Sequence, residues 1–228
     1  MLSTRRFRPT VVWLLSFALV LAACSQPGDD NASTATSTGA AQKVDLAALS
    51  QLEDDMPPGF VPYPSEVREL KPIYVAGVGS VVSSGKPFTV EPSECRTLLQ
   101  PVEGRAGADT MGIRADGPER RAISVGADTP VSVPAEIPER GCDRLTYTVP
   151  DDNNPRRGSA ERIDAPDIDG AATFALKITT DGYADPEYFY AAIFDDVYVH
   201  VDARLAPDFA AQPLLPDLLV KAVSSVRG

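Results

Sequence analysis

The chain has 228 residues, 32 of them acidic and 21 basic, for a net charge of −11 at pH 7. That balance excludes a surface made to neutralise phosphate, because nucleic acids and anionic lipids are bound by clustered Lys and Arg. The length suffices for one medium domain with a sizeable core, and 16 glycines with 21 prolines predict many turns and irregular connections.

Arg5, Arg6 and Arg8 form a positive n-region, and Val11 to Val20 an apolar h-region that runs into small residues, the pattern of a secretory signal peptide. The apolar run from Val11 to Ala23 is 13 residues, short of the roughly 20 needed to cross about 30 Å of hydrocarbon, and no later stretch comes closer. The leader ends in Leu21-Ala22-Ala23-Cys24, which resembles the bacterial lipobox. The resemblance implies thioether attachment of diacylglycerol to Cys24, cleavage before it and acylation of the new amino terminus. Two or more acyl chains hold a protein at a bilayer stably where one holds it only marginally. The alternative is an ordinary signal peptide with a chance cysteine. Arg5-Arg6 also raises twin-arginine export, but Phe7-Arg8-Pro9 fits that pattern poorly, so the general secretory route is the preferred reading.

Without residues 1–23 the chain has 205 residues, a net charge of −14 and no tryptophan. Residues Ser25 to Gln42 are Ser, Thr, Ala, Gly, Asp and Asn with no apolar period, the composition of a flexible tether with an r.m.s. span of about 25 Å. Asn31-Ala32-Ser33 is a glycosylation sequon by pattern and reads as chance in such a linker. With Cys24 lipidated, Cys95 and Cys142 remain, and an even pair in an exported chain reads as one disulfide, two buried free thiols being the alternative. Closing a loop of that length stabilises by on the order of 4 kcal/mol in the chain-entropy model. The expected organisation is a leader at 1–23, a lipidated Cys24 and tether at 24–42, and one domain at 43–228.

Within that domain, Lys43 to Leu52 predicts a short helix stopped by the turn chemistry of Met56-Pro57-Pro58-Gly59. Ile73 to Val82 is apolar and β-branched and reads as a strand, with Gly77 and Gly79 marking a bulge or a close backbone approach. Pro92 opens a short helix through Gln100 that carries Cys95. Strand patterns recur at Thr110 to Ala115, Ala122 to Gly126, Asp143 to Val149 and Ala172 to Thr180.

Glu187 to Arg204 is the clearest hairpin, two β-rich runs around Asp195-Asp196. With those two residues as the loop, Tyr188, Tyr190, Ala192 and Phe194 share a core face with Val197, Val199, Val201 and Ala203. The other face presents Phe189, Ile193, Tyr198, His200 and Asp202, a mixed surface for a covering loop or a ligand. Because Asp-Asp is a poor primed turn, a longer loop and a shifted register stay open. From Leu214 to Arg227 the stripe Leu215, Leu219, Ala222 and Val226, flanked by Leu218 and Val223, predicts an amphipathic helix sealing one face of the sheet. The fold expected is therefore α+β: a single domain, mainly an antiparallel twisted sheet, with the C-terminal amphipathic helix packed on one face.

No constellation in the chain spells out a reaction. His200, the single histidine, lies between Tyr198 and Asp202, but there is no Gly-x-Ser-x-Gly elbow, and a lone strand histidine is more often structural. Ser83-Ser84-Gly85-Lys86 contains Ser-x-x-Lys in what reads as a hairpin turn, without the partner motifs of penicillin-binding proteins. Asp164, Asp167, Asp169 and Gly170 lack the spacing and the closing glutamate of a calcium loop. Cys95 and Cys142, with no His or Cys nearby, make no metal site, and Gly77-x-Gly79 lacks the rest of a dinucleotide fingerprint. Asp151-Asp152 sits in a polar loop, where a solvated role is the default. No catalytic, metal or cofactor-binding residue is expected.

Gly141-Cys142-Asp143-Arg144-Leu145-Thr146-Tyr147, Ile163-Asp164-Ala165-Pro166-Asp167-Ile168-Asp169-Gly170 and Leu214 to Arg227 resemble the C-terminal half of an actinobacterial lipoprotein family, typical of mycobacteria, known as a domain of unknown function. More distantly, the arrangement is similar to the extracellular sensor domain of mycobacterial receptor Ser/Thr kinases, an α+β module with a ligand-sized cleft. This chain has one cysteine pair where that module typically has two. The resemblance implies an extracytoplasmic protein on the cell membrane, anchored through Cys24, with a small-molecule, glycan or protein partner in the envelope and no nucleic acid. Two functions are carried forward: a non-catalytic binding or sensory module, and a lipid or glycolipid carrier with an apolar cavity between sheet and helix.

Overall fold

The computed structural model describes residues 44–151, 154–205 and 211–228, all within one compact unit. The leader, Cys24 and the tether expected at 24–42 lie outside the described residues. In chain order, a 3-10 segment (Leu46–Asp55) is followed by β1 (Val61–Pro64), β2 (Arg68–Glu69) and a second 3-10 segment (Pro72–Gly77). Next come β3 (Thr89–Glu91), the short α1 (Arg96–Leu99), β4 (Asp109–Asp116), β5 (Ala122–Thr129), β6 (Arg144–Val149) and β7 (Arg156–Ile163). The chain closes with β8 (Ala172–Thr180), β9 (Glu187–Phe194), β10 (Val197–Arg204) and α2 (Leu214–Arg227).

Every pairing is antiparallel, in the order β1-β4-β5-β10-β9-β8-β7-β6-β3, with β2 beside β1 on the edge of β4. The expected α+β class and the single antiparallel sheet with its C-terminal helix are what the structure has. The β9–β10 hairpin sits near the middle. Phe194 pairs with Val197 across a two-residue loop, and Asp195 adopts φ 49°, a left-handed conformation that Asp tolerates better than most residues.

Because side chains alternate along a strand, the sheet builds two cores. On one face Tyr190, Ala192, Val197, Val199, Val201 and Ala203 pack against α2 and the first 3-10 segment. The α2 stripe of Leu215, Leu218, Leu219, Ala222, Val223 and Val226 is buried there. On the opposite face Phe174, Leu176, Ile178, Phe189, Ala191 and Tyr198 are covered by residues of the 78–102 segment, among them Val78, Val82, Leu98, Leu99 and Val102. A disulfide joins Cys95 to Cys142 within this second core, S–S 2.04 Å.

Ile73 to Val82 is not a strand. Pro72 opens a 3-10 turn, and the chain then coils through Gly79, Ser84 and Gly85, all at positive φ. A Cβ at Gly79 would stand 2.5 Å from the Val102 carbonyl oxygen, so the glycine marks a close backbone approach, but of a loop onto the second core. Gln100 Nε2 donates to the carbonyls of Val78 (2.9 Å) and Val102 (2.7 Å), and Arg156 donates to the Val82 carbonyl. These bonds hold an irregular apolar segment where sheet pairing does not. The turn around Asp164–Gly170 is as expected, with the Ala171 amide donating to the Ile168 carbonyl at 3.0 Å.

Exchanging both Cys95 and Cys142 for serine is expected to lower unfolding stability by about 4 kcal/mol, since the bridge restrains a long loop of the unfolded chain. The urea midpoint of the variant against the parent measures it.

Candidate functional site: a polar cleft around His200

β10 carries apolar residues on its helix-facing side, but on the other side Tyr198 is followed by His200 and Asp202. The register sets Asp128 of β5 opposite Tyr198, Gly126 opposite His200 and Ser124 opposite Asp202. On the other flank Glu187 of β9 pairs with Arg204. The loop around residues 74–84 roofs this strip and leaves a cleft of about 430 Å³, lined by Asp128, Glu187, Tyr198, His200 and Asp202 below and by Tyr74 and Ser84 above. A second hollow of about 480 Å³, lined by Arg68, Lys71 and Glu69, shares Leu70, Tyr74 and Thr110 with the first. Tyr74, which lines both, is 63% exposed.

The imidazole of His200 lies between rings, 5.2 Å from that of Tyr198 and 6.1 Å from that of Phe189, both near-parallel. Beneath it Gly126 supplies the room, since a Cβ there would come 2.5 Å from His200 Cε1. His200 Nε2 stands 3.8 Å from Asp202 Oδ1, while Nδ1 is buried without a hydrogen-bond partner. Arg204 and Glu187 approach to 3.6 Å.

Burial raises the carboxyls of Asp128, Asp202 and Glu187 above the usual range. For Asp128 and Asp202 the facing His200 partly offsets this, with hydrogen bonds from Thr110 and Ser124 respectively. Asp202 adds its own charge to the burial of Glu187. Tyr198 is pushed well above an ordinary phenol, first by burial and then by the negative charges of Asp128 and Asp202. The strip is thus a set of hydrogen-bonding and ionisable groups held partly out of water.

The other sequence motifs do not join it into a catalytic set. Lys86 Nζ pairs with Asp151 at 3.4 Å, whereas the Ser83 hydroxyl pairs with that of Ser80 at 2.7 Å, so the two functional groups of Ser-x-x-Lys are engaged elsewhere. Asp152 lies outside the described residues. No group of three or more His, Cys, Asp or Glu arranged for a metal exists among the described residues. Sequence reasoning placed His200, Tyr198, Phe189 and Asp202 on one surface, as the structure does. It missed Asp128 and Glu187, and it missed Gly126 as the floor under the ring. Extending the alternation of β5 two residues past Gly126 would have found Asp128.

An α+β domain built as one open antiparallel sheet, sealed by a helix on one face and by a disulfide-braced irregular layer on the other, defines the class. The chain belongs to the family described as a domain of unknown function (DUF5642), which matches residues 45–227. Its fold is similar to the X-ray structure of an uncharacterized protein from Mycobacterium smegmatis, an Rv0999 ortholog. The two share 24% identity and a TM-score of 0.60, over 82% of this chain and 98% of that one. No curated protein matches the chain.

The raised carboxyl of Asp128 has a consequence for stability. Its folded form holds a proton to higher pH than its unfolded form, so stability falls as pH rises through the interval between the two values. Asp128→Asn keeps an acceptor for Thr110 and removes the charge. It is therefore expected to be more stable than the parent at pH 7, with the difference shrinking as pH falls below the folded carboxyl's value. Urea denaturation at pH 7 and pH 4 compares the two.

Proposed function

We propose that this protein is a membrane-anchored, non-catalytic lipoprotein of the extracytoplasmic face that acts as a binding or sensory module of the cell envelope, with the His200 cleft as its ligand site. The observation that carries the reading is the polar strip on β10. A central strand surrounded by apolar neighbours keeps His200 and Asp202 facing a hollow, although apolar side chains there would cost less to bury. The leader ending at Cys24 supports the anchor, and the distant resemblance to a kinase sensor domain with a ligand-sized cleft supports the sensory role. A carrier would need room for acyl chains, and the seam between sheet and helix is filled by Leu215, Leu219, Ala222 and Val226, all fully buried. That observation favours the binding module.

Two measurements test this. Cys24→Ala, expressed in a host with lipoprotein processing, is expected to lose labelled palmitate and to move from the membrane to the soluble fraction. An unchanged membrane fraction would remove the anchor from the reading. Native mass spectrometry of protein purified from its own envelope is expected to show a small polar ligand, whereas co-purified acyl chains would establish the carrier in its place.

A further inference from the structure

We infer that the ligand of the proposed binding module is a neutral saccharide, lying in a trough that runs from the His200 cleft across β5 and β4 to the edge of the sheet. The inference rests on the binding reading above and gives it a ligand class and a path.

The strand register draws the trough. Pairing sets Gly126 of β5 and Gly112 of β4 side by side, in line with His200. The imidazole lies over Gly126, whereas a Cβ at Gly112 would meet only the Val125 carbonyl oxygen and the Gly126 Cα within 4 Å. The sheet floor is therefore low beyond the imidazole ring. Residues two positions before and after each glycine share its face, and they form the walls. On β5 these are Asp128 and Ser124, and on β4 Thr110 and Arg114. At the sheet edge Arg68 of β2 pairs with Thr110 and Tyr63 of β1 with Arg114, which extends each wall by one residue. Arg114, Arg68 and Tyr63 are exposed, so nothing among the described residues covers this half of the face. From the imidazole to the edge the trough crosses two strand spacings, about 10 Å, the length of roughly two pyranose rings.

The walls select the ligand. On β5 a carboxyl group faces a hydroxyl across the floor, on β4 a hydroxyl faces a guanidinium, and at the edge a guanidinium faces a phenol ring. Asp128 and Asp202 at the inner end are matched in number by Arg68 and Arg114 toward the outer end, so neither a cation nor an anion is favoured along the whole length. An acyl chain would strip both walls of water with nothing in exchange. A sugar hydroxyl both donates and accepts, and a pyranose carries several around its rim, so it can use carboxyl oxygens and guanidinium N–H groups in turn. Thr110 and Ser124 already hydrogen-bond Asp128 and Asp202, which fixes the two carboxyls and leaves each with further acceptor sites. Tyr63, 57% exposed, and Tyr74, beside Arg68 and Thr110, add flat apolar surfaces at the outer end. Such surfaces suit the C–H face of a pyranose, and the walls offer new partners once per strand, about every 4.8 Å, close to the rise of one ring along a sugar chain.

The single histidine of the chain reports from the inner end, and substitutions at the outer end test the path. With the imidazole isotope-labelled, at least one of cellobiose, maltose, lactose and diacetylchitobiose is expected to move the His200 signals saturably. The neutral peptide N-acetyl-trialanine amide should leave them in place. Tyr63→Ala and Arg68→Met alter exposed side chains on opposite walls, so their thermal midpoints should match the parent's. The affinity of each for the responding disaccharide should fall about ten-fold, the loss usual for a central contact. An equal shift with the peptide, or undiminished affinity in either variant, overturns the saccharide in its trough. Where no disaccharide moves the signals, a small-molecule extract of the native envelope decides. A shift that is lost once periodate has cleaved vicinal diols sustains the saccharide. One that survives periodate overturns the saccharide and leaves the binding site standing, and no shift with the extract overturns both.

Discussion

The constraint on which the rest of the structure depends is the burial of β9 and β10 on both faces. β10 lies between β5 and β9, with Val197, Val199, Val201 and Ala203 fully buried on one side and Tyr198 on the other. Strands apolar on both faces need a layer above and a layer below, since an exposed sheet face of this composition would forfeit roughly 25 cal/mol for each Å² of apolar surface left in water. One layer is regular, made by α2 and the first 3-10 segment. The other has little regular structure of its own and is held by point attachments: the Cys95–Cys142 bridge, the Gln100 amide, the Arg156 guanidinium and the Gly79 contact.

The cleft exists where the irregular layer stands off the sheet. Over β8 and β9 it presses Val78, Val82 and Leu99 onto Phe174, Leu176 and Phe189. Over β10 and β5 it meets His200, Asp202 and Asp128 and leaves a hollow. Two glycines paired across β4 and β5, Gly112 and Gly126, keep the sheet surface low there, and the imidazole occupies the depression over Gly126. Raised carboxyls are the electrostatic sign of the same geometry: the groups are too covered to be fully hydrated, and His200 does not fully offset that loss.

Legibility from sequence followed periodicity. The hairpin was readable in its bounds because two β-rich runs flank Asp195-Asp196, though its loop length and register stayed open, and α2 because its apolar stripe is continuous. β7 was not readable. Its sequence is Arg-Arg-Gly-Ser-Ala-Glu-Arg-Ile with Ala160 alone fully buried, so its place in the sheet comes from pairing with β6 and β8 and not from any apolar face. β1, β2 and β3 are too short to show a period. Ile73 to Val82 failed in the opposite sense: β-branched composition signalled burial, and burial was achieved in part by coiling over the core with Gly79 and Gly85 at the bends. Half of the cleft was visible because it lies on the hairpin, and the rest, Asp128, Glu187 and the roof, depends on register and on a loop path that composition does not encode.

The two layers also fix how the domain is presented. The Asp45 amide donates to the Val226 carbonyl at 2.9 Å, and Leu46, Leu49 and Leu52 join α2 in the first core. Residues 45–52 therefore lie on the helix side of the sheet. The His200 cleft opens on the other side, under the 74–84 loop. The two sides of the sheet thus differ in kind. Its helix side is closed by apolar packing, while its loop side keeps polar groups at the edge of water. In the proposed reading, attachment and recognition fall on opposite faces of the same strands, through the alternation of side chains along β10.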